Sequence, residues 1–402
     1  MEIFVEDLIY LDNATTSWPK PDKVYSFMID FYQRCGVNPG RSRFDKAIEA
    51  GNIVEGLRQR LTRFFGGDAA HPEQLCFSYN ATDALNLIIQ GLLSSGDHVV
   101  TTNLEHNSVI RPINHLVRDG GVEATFVPFN AQGYVEPDDI RKAIKPATKL
   151  VMVNHGSNVL GTVQPAAEIG RICREKGVIF GIDVSQTAGI VPIDMEQMNV
   201  DILAFTGHKS LMGSTGIGGL CVRGDINIRH TRSGGTGISS AFPYHLDEYP
   251  YRMEFGTPNI LGIASLWAAQ EWIAEQGGVE AIHAYEMNLA NKLVGGFNNI
   301  DGVITYCCDN MENHLATVIM NVEGLEAGDV GIMLDVDFNI AARTGLHCAP
   351  LVHKQIGTLD ILGGVRFAMG PFNTEEHMVK AIEAVSEIAR RARKMQKMAA
   401  RK

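Results

Sequence analysis

Between about residues 75 and 225 the chain alternates short apolar runs with longer amphipathic stretches, and this alternation limits the fold more than any other feature. The runs are 74–78, 98–102, 123–129, 149–154, 178–183, 201–206 and 218–223. Such runs are typical of strands buried on both faces of a sheet. Between them, 81–93 and 166–177 have the apolar spacing of helices. We therefore expect an α/β domain with helices on both faces of a seven-stranded, mainly parallel sheet.

The pattern changes after this region. A loop-rich span, 224–258, precedes a helical stretch at 259–277, and we expect that span to carry function or an interface. A long helix at 279–297, strands near 303–307 and 315–321, and a last helix from about Glu375 then predict a smaller α+β domain. We expect the large domain to cover residues 16–270, and the small one to combine 1–15 with 271–402.

Composition excludes several classes of protein. The 402 residues include 35 Lys plus Arg and 46 Asp plus Glu, a net charge of −11, so stable binding to nucleic acid or to an anionic membrane is not expected. No apolar run reaches the length of a membrane-spanning helix, and Glu2, Glu6 and Asp7 lie where a signal peptide would be basic. We expect a cytoplasmic protein.

The seven cysteines are scattered and include no C-x-x-C pair, so neither a disulfide framework nor a metal site is indicated. We expect Cys307 and Cys308, in the strand-like stretch VITYCC, to be structural. The C-terminal stretch 390–402 has seven basic residues in thirteen. We interpret it as a frayed, solvated helix end rather than an anion-binding element.

Polar residues directly after the apolar runs are the first candidates for chemistry, because open α/β sheets bind ligands at the carboxyl ends of their strands. Asp183 ends one run, and Thr206, His208 and Lys209 end and follow the next. A single carboxylate and lysine there would more often be a structural ion pair. Here they are accompanied by a Thr-containing helix start at 81–83, His106 after another run, and a Gly-rich turn at 213–219.

Together these are the groups that pyridoxal 5'-phosphate requires: a lysine for its aldehyde, a carboxylate for its ring nitrogen, a flat group over the ring, and helix N-terminal donors for the phosphate. A nucleotide-binding P-loop is excluded, because Lys209 does not follow G-x-x-x-x-G.

A second cluster lies near the end of the chain, where Arg343 precedes Cys348 in RTGLHC and Arg366 follows in GGVRFAMG. Most lone cysteines are structural. An arginine five residues away, with His347 and Gly345 beside it, makes a setting that favours a reactive thiolate, so Cys348 is a candidate nucleophile.

The order of these motifs resembles the class V aminotransferase family, and within it the cysteine desulfurases and selenocysteine lyases. The likeness runs nearly end to end, through YLDNATTSWPKP (10–21), SYNATDALN (78–86), EHNSV (105–109), NHGSNVLGTVQP (154–165), DVSQTAG (183–189), TGHKSLMGSTGIGGL (206–220), EFGTPN (254–259) and RTGLHCAP (343–350). It implies fold type I, the pyridoxal phosphate-dependent transferase fold.

The resemblance also implies roles. Lys209 would bind the cofactor covalently and remove the substrate α-proton, with Asp183 on the pyridinium nitrogen, Gln186 on the ring hydroxyl and His106 stacked on the ring. The residues implied for the phosphate are Ala81, Thr82, Thr206 and His208, with Thr257 from the partner subunit of a homodimer. Those implied for the substrate carboxylate are Arg366 and Asn158, with Arg343 assisting or ordering the loop.

The R-x-G-x-x-C arrangement is similar to the second desulfurase subtype, whose cysteine lies on a short loop. The implied reaction converts L-cysteine to L-alanine and leaves a persulfide on Cys348, from which a thiol or an acceptor protein removes the sulfur. Selenocysteine is a second implied substrate.

Alternatives stay open on the sequence. One is another reaction of the same cofactor and fold, such as racemisation, transamination or a different β-elimination, which would not need Cys348. Another is a sulfur-carrier scaffold without turnover, against which the intact Lys209, Cys348 and Arg366 argue. A third is a nucleic-acid contact through the basic tail, which the acidic remainder of the chain disfavours.

Overall fold

The structure is a computed structural model that describes residues 8–39, 44–224 and 226–399. Residues 1–7, which include the acidic residues considered above, and the last three residues of the basic tail lie outside the described part. The strands are β1 (Ile9–Tyr10), β2 (Leu75–Ser78), β3 (His98–Thr102), β4 (Glu123–Val127), β5 (Thr148–Asn154), β6 (Ile179–Asp183), β7 (Ile202–Thr206), β8 (Gly218–Val222), β9 (Val303–Thr305), β10 (Thr317–Val322), β11 (Ile340–Ala341), β12 (Arg343–Gly345) and β13 (Gly364–Ala368).

The helices alternate with these strands and also follow them. They are α1 (Asp22–Cys35), α2 (Asp45–Phe64), α3 (Ala81–Leu92), α4 (Asn107–Asp119), α5 (Pro137–Ala143), α6 (Ala166–Lys176), α7 (Ile260–Glu275), α8 (Val279–Phe297), α9 (Ala327–Phe338), α10 (Pro350–Gln355) and α11 (Glu375–Ala399). The Gly177 that ends α6 has a left-handed conformation, with φ 66°, and its N–H bonds back to the last helical turn, as expected of a glycine at this position.

The large sheet has seven strands in the order β2-β8-β7-β6-β5-β3-β4. Only β8 runs against its neighbours; the other paired strands are parallel. The prediction of a seven-stranded, mainly parallel sheet is therefore confirmed. Parallel pairing matters for the site because it brings the carboxyl ends of β3, β5, β6 and β7 to the same edge of the sheet.

Alternate residues of the central strands pack into two different cores. Along β5, Val151 and Val153 belong to the core covered by α2, α6 and α7, whereas Leu150 and Met152 belong to the core covered by α3 and α4. This two-residue period follows from strand geometry, and with both faces covered it explains the continuous apolar run. The expectation of helices on both faces is confirmed.

A second unit contains the four-stranded antiparallel sheet β12-β13-β10-β9. Its core is formed with α8, α9 and α11. The start of the described chain joins it, since β1 pairs in parallel with β11 and Asp12 bridges to Ala368 of β13. The predicted division after residue 270 falls inside α7, and we propose that it lies instead at the Gly277–Gly278 turn between α7 and α8.

Three local predictions are wrong. The strand at 123–127 is not buried on both faces, because β4 is the edge strand and most of its side chains are partly exposed. The strand at 303 ends at Thr305, so Cys307 lies beyond it with φ 56°. The described part of the tail, 390–399, is solvent-exposed at 394–398 as predicted but is not frayed, since α11 continues through Ala399, Ala392 is buried, and Arg391 forms an ion pair with Asp337 of α9.

No helix in the described part of the chain is long and apolar enough to cross a membrane.

Candidate active site

The carboxyl edge of the large sheet borders a cavity of about 290 Å³ between the two units. Asp183 pairs in register with Asn154 on one side and Ala204 on the other, which places the ends of β5, β6 and β7 side by side. The cavity is lined by all but two of the predicted site residues, namely Ala81, Thr82, His106, Asn158, Asp183, Gln186, Thr206, His208, Lys209, Arg343 and Arg366.

Lys209 lies in the turn after β7, and the backbone on its N-terminal side is held firmly. The carbonyl of His208 accepts hydrogen bonds from Ser17 N (3.1 Å), Thr16 Oγ1 (3.1 Å) and Lys20 Nζ (2.6 Å). Burial lowers the pKa of Lys209 to about 8, against an opposing effect of Asp183. Roughly a tenth of this amine is therefore neutral at pH 7, and the neutral form is the one that attacks a carbonyl carbon or accepts a proton.

Asp183 is the last residue of β6 and is buried. Its Oδ1 accepts from the backbone N–H of Ser185 (2.9 Å) and from the Ser185 hydroxyl (2.5 Å). Burial raises the pKa of Asp183, while these two hydrogen bonds and the charge of Lys209 act in the opposite direction. The carboxyl is thus oriented by Ser185, and a cationic partner in the cavity would favour its charged form.

His106 precedes α4 and caps it. Its Nδ1 accepts from the backbone N–H of Ser108 (3.1 Å) and lies 2.8 Å from the Ser108 hydroxyl, which in turn lies 2.7 Å from the Thr82 hydroxyl. Burial, followed by the nearby charge of Lys209, lowers the pKa of His106 to about 4. The ring in the cavity is therefore neutral at physiological pH and held by one nitrogen.

The N-terminus of α3 borders the same cavity. Asn80 caps the helix through its side chain, which accepts from the Asp83 N–H at 3.0 Å, and Ala81 and Thr82 form the first turn. Free N–H groups and the helix dipole at this end favour an anion. Thr206 and His208 approach from β7, and Thr206 Oγ1 and His208 Nδ1 are buried without a hydrogen-bond partner among the described residues. Polar atoms of this kind suit a polar ligand such as phosphate.

Two arginines form the opposite side. Arg366 of β13 is buried and donates to Asp12 Oδ1 (2.6 Å), Thr15 Oγ1 (2.9 Å) and the Asn158 carbonyl (2.9 Å). Within the described residues its Nε has no acceptor, and neither does Asn158 Oδ1 have a donor. Arg343 donates to the same Thr15 hydroxyl at 2.8 Å. A guanidinium group with a free edge facing a cavity is suited to binding a carboxylate.

Cys348 follows β12 on a short loop and is exposed. Its Sγ lies 3.8 Å from Arg343 Nη2. Both His347 and Cys348 have left-handed backbone conformations, with φ 51° and 57°. The loop is tied to the large unit by Asn158 Nδ2, which donates to the His347 carbonyl (2.7 Å), and by the Asn107 N–H, which donates to the Cys348 carbonyl (2.7 Å). The thiol is therefore accessible and beside a positive charge.

Thr257 is the predicted residue that the structure places elsewhere. It lines a separate cavity with Glu254 and Asn259. Its predicted role required it to come from a partner subunit, so its absence from this chain's own cavity agrees with that expectation without testing it.

Several residues at the site had no predicted role, notably Asp12 and Thr15, which hold the two arginines, and Ser185, which orients Asp183. Gln186 is also fixed, because its Nε2 donates to the Ala14 carbonyl at 2.9 Å. Asp12, Ala14 and Thr15 all belong to the segment 10–21. That segment stood out in the sequence, but contacts across roughly 350 positions carry no local pattern that would have revealed them.

Comparison with known proteins decides the family. The family model for aminotransferase class-V matches residues 9–380 of the chain. The chain belongs to this family. The resemblance found in the motifs and the expectation of fold type I are confirmed.

Curated relatives of similar length support the assignment. A probable cysteine desulfurase from Pyrococcus abyssi is 33% identical over 399 residues, which cover 97% of this chain and 96% of that protein. A probable cysteine desulfurase from Methanothermobacter thermautotrophicus is 31% identical over 390 residues, covering 96% of each. Among solved structures, the apo cysteine desulfurase from Thermococcus onnurineus is 33% identical with a TM-score of 0.88 and 95% coverage of both chains.

Proposed function

We propose that this class V family member is a pyridoxal phosphate-dependent cysteine desulfurase that converts L-cysteine to L-alanine and holds the sulfur as a persulfide on Cys348. The observation that carries the proposal is the pairing of a half-buried lysine of lowered pKa in the cavity with an exposed cysteine next to Arg343, which lines the same cavity. Other reactions of this cofactor need the lysine and have no use for the cysteine. The curated relatives named above bear the same activity in their names.

The residues present fit the cofactor. Buried, unpartnered Thr206 Oγ1 and His208 Nδ1 beside the start of α3 suit its phosphate, together with Ala81 and Thr82. Asp183 suits the pyridinium nitrogen, Gln186 the ring hydroxyl, the neutral ring of His106 the cofactor ring, and Lys209 the aldehyde. When bound, pyridoxal phosphate supplies an electron sink for the bond changes at the substrate α-carbon.

The protein's own groups then have distinct tasks. Arg366 binds the substrate carboxylate through its unpaired Nε–H, and Asn158 helps to orient that guanidinium by accepting from its Nη1 at 2.9 Å. Lys209 Nζ accepts the α-proton, which its lowered pKa permits near neutral pH. Asp183 places a carboxylate at the end of β6, and the Ser185 hydroxyl holds that carboxylate in position.

Cys348 completes the reaction. Its thiolate attacks the sulfur of the bound cysteine, and the new S–S bond forms as the Cβ–S bond breaks. The electron pair of the broken bond stays with the carbon fragment, which takes up protons and leaves as alanine. Arg343, 3.8 Å from Sγ, places positive charge beside the attacking sulfur. An external thiol or an acceptor protein then removes the terminal sulfur.

The proposal includes a homodimer in which Thr257 reaches the phosphate of the other subunit. The loop 226–258 supports it, because the described part exposes Ile238, Phe242 and Tyr244, which are large apolar side chains typical of an interface. It also includes the cytoplasmic location expected from the sequence.

The decisive experiment measures sulfide and alanine together from cofactor-loaded protein given L-cysteine and a reducing thiol. We expect equal amounts from the intact protein and neither product from Cys348→Ala. Cys307→Ala is the matched control, because this half-buried cysteine contacts the Ala131 carbonyl rather than Arg343, and it should retain full activity. Failure of the intact protein to form alanine would overturn the proposal in favour of another reaction of the cofactor. Full activity of Cys348→Ala would remove the role of the nucleophile.

A further inference from the structure

A chain of hydrogen bonds leads from the Cys348 loop into the second unit. His347 Nε2 lies 3.1 Å from the Arg343 carbonyl, and His347 Nδ1 lies 3.2 Å from Nε2 of His353 on α10. Nδ1 of His353 in turn lies 2.8 Å from the Thr358 hydroxyl. Both rings are removed from solvent, with 3% exposure for His347 and 0% for His353. His353 does not line the active-site cavity.

The proton positions in this chain follow from elementary donor and acceptor rules. The Arg343 carbonyl only accepts, so His347 Nε2 must carry a proton. Burial lowers the pKa of His347 to about 2 and that of His353 to about 4, so both rings are neutral with one proton each. His347 Nδ1 is therefore an acceptor, His353 Nε2 must donate to it, and the Thr358 hydroxyl must donate to His353 Nδ1.

The loop of His347 and Cys348, at which this series of hydrogen bonds ends, is strained. Left-handed conformations at His347 and Cys348, neither of which is glycine, are strained and persist only where surrounding contacts hold them. Asn158 and Asn107 hold the backbone carbonyls of these two residues. The His347 side chain is the third attachment, and among residues 8–39, 44–224 and 226–399 its Nδ1 receives a hydrogen bond from His353 alone.

We propose that His353 is a positioning residue for Cys348, acting by donating its Nε2 proton to His347 and so holding the loop that presents the thiol. The inference rests on the proposed function of Cys348 as the group that takes sulfur from cysteine. It distinguishes His353 from a buried residue that only fills space, since a space-filling role requires volume and no donor.

Two variants separate these roles. His353→Leu keeps apolar volume and removes the donor, whereas the amide N–H of His353→Gln reaches the position of Nε2. We expect the Leu variant to lower kcat for alanine formation from cysteine by about 10- to 100-fold, the range produced by misplacing a reacting group by about 1 Å, and the Gln variant to recover most of it.

Selenocysteine provides the internal comparison, because its weaker carbon–selenium bond lets cleavage proceed without the Cys348 nucleophile. A displaced thiol therefore lowers turnover of cysteine alone, while general damage to the fold lowers both. His98→Leu is the matched control. His98 is also fully buried and bonded to two threonines, at 2.7 and 2.9 Å, but it starts β3 at the opposite edge of the sheet, and its loss should leave the ratio of the two rates unchanged.

Alkylation of Cys348 by iodoacetamide, followed by mass spectrometry of its peptide, tests the positioning without turnover. We expect the rate to fall in His353→Leu, because Sγ leaves the Arg343 guanidinium, and to be restored in His353→Gln. If the intact protein forms no alanine, the proposed function fails while this rate still reports on the loop. Three outcomes would each overturn the role of His353. One is an equal fall in the turnover of cysteine and of selenocysteine in His353→Leu. The others are unchanged cysteine turnover and alkylation in His353→Leu, or a His353→Gln variant that is as impaired as His353→Leu.

Discussion

The two ends of the cavity are built in different ways. The Lys209 end consists of buried and half-buried residues at the ends of adjacent parallel strands, whose positions the sheet register fixes. The Cys348 end is a loop that exposes Cys348, has left-handed backbone at His347 and Cys348, and is held by contacts from other elements. The first end suits groups that must be fixed in position and shielded from water. The second suits a thiol that must receive a sulfur atom and then release it to solvent or to a partner.

The largest expected effect is that removing Lys209 and removing Cys348 change the turnover of cysteine and selenocysteine differently. Lys209→Ala should lower alanine formation from cysteine and from selenocysteine by at least about 10²–10⁴-fold, because both reactions need the proton acceptor. Cys348→Ala should abolish the reaction with cysteine and spare selenocysteine. The measurement is alanine release from each substrate by both variants. Equal loss of both activities in Cys348→Ala would contradict the division of tasks between the two ends.

The buried character of the first end predicts a pH effect on stability through Glu105. This carboxyl is fully buried, accepts from the Thr102 hydroxyl at 2.7 Å and from the Asn154 N–H at 2.9 Å, and has a pKa raised by burial to about 8. A raised pKa in the folded state means that its contribution to stability is complete below about pH 4.5 and is lost as the pH rises through 8.

Glu105→Gln keeps the accepting oxygen and removes the titration. Relative to the parent protein, its free energy of unfolding should therefore rise between pH 5 and pH 9, by up to about 4 kcal/mol. Lys209 titrates in both proteins, so its opposite contribution cancels in the difference. Thermal melting at the two pH values checks this, with Glu383→Gln, exposed on α11, as the control that should show no such change. Parallel melting profiles for Glu105→Gln and the parent would show that the carboxyl is charged in the folded state.

Arg366 and Arg343 both donate to the Thr15 hydroxyl, but we assign Arg366 to the substrate carboxylate and Arg343 to the Cys348 thiol. Arg366→Lys keeps a charge for Asp12 but loses the planar group that contacts Thr15 and Asn158 at the same time. We expect KM to rise by about 10- to 100-fold for both substrates, as for the loss of a charged hydrogen bond. Arg343→Lys should instead lower kcat for cysteine alone. Steady-state kinetics on both substrates tests the pair, and an identical pattern in the two variants would rule out the separate roles.

The difference between the two ends also explains what the sequence could predict. Asp183, Thr206 and Lys209 end or follow apolar runs, so their convergence follows from strand period and parallel pairing alone. Cys348 was a candidate from the arginine, histidine and glycine beside it in the sequence, whereas the role of Arg366 came only from the family resemblance. Their supports, Asp12, Thr15 and His353, depend on contacts between distant elements, for which a single sequence has no periodic pattern. The edge position of β4 was missed for the same reason: the residues of an apolar run do not specify which strands lie beside it in the sheet.

The smallest effect concerns the basic tail, which belongs to neither end. Residues 394–398 are exposed on the last part of α11, so a chain that ends at Arg393 should form alanine within about twofold of the parent rate and melt at nearly the same temperature. A chain that ends at Ile388 also loses the buried Ala389 and Ala392 and the contacts of Arg391 with Asp337 and of Arg393 with Asp301. It should melt at a lower temperature because part of the second core is removed, although its kcat below melting should persist. A fall in kcat for the chain that ends at Arg393 would mean that residues 394–398 contact the active site, most directly that of a partner subunit.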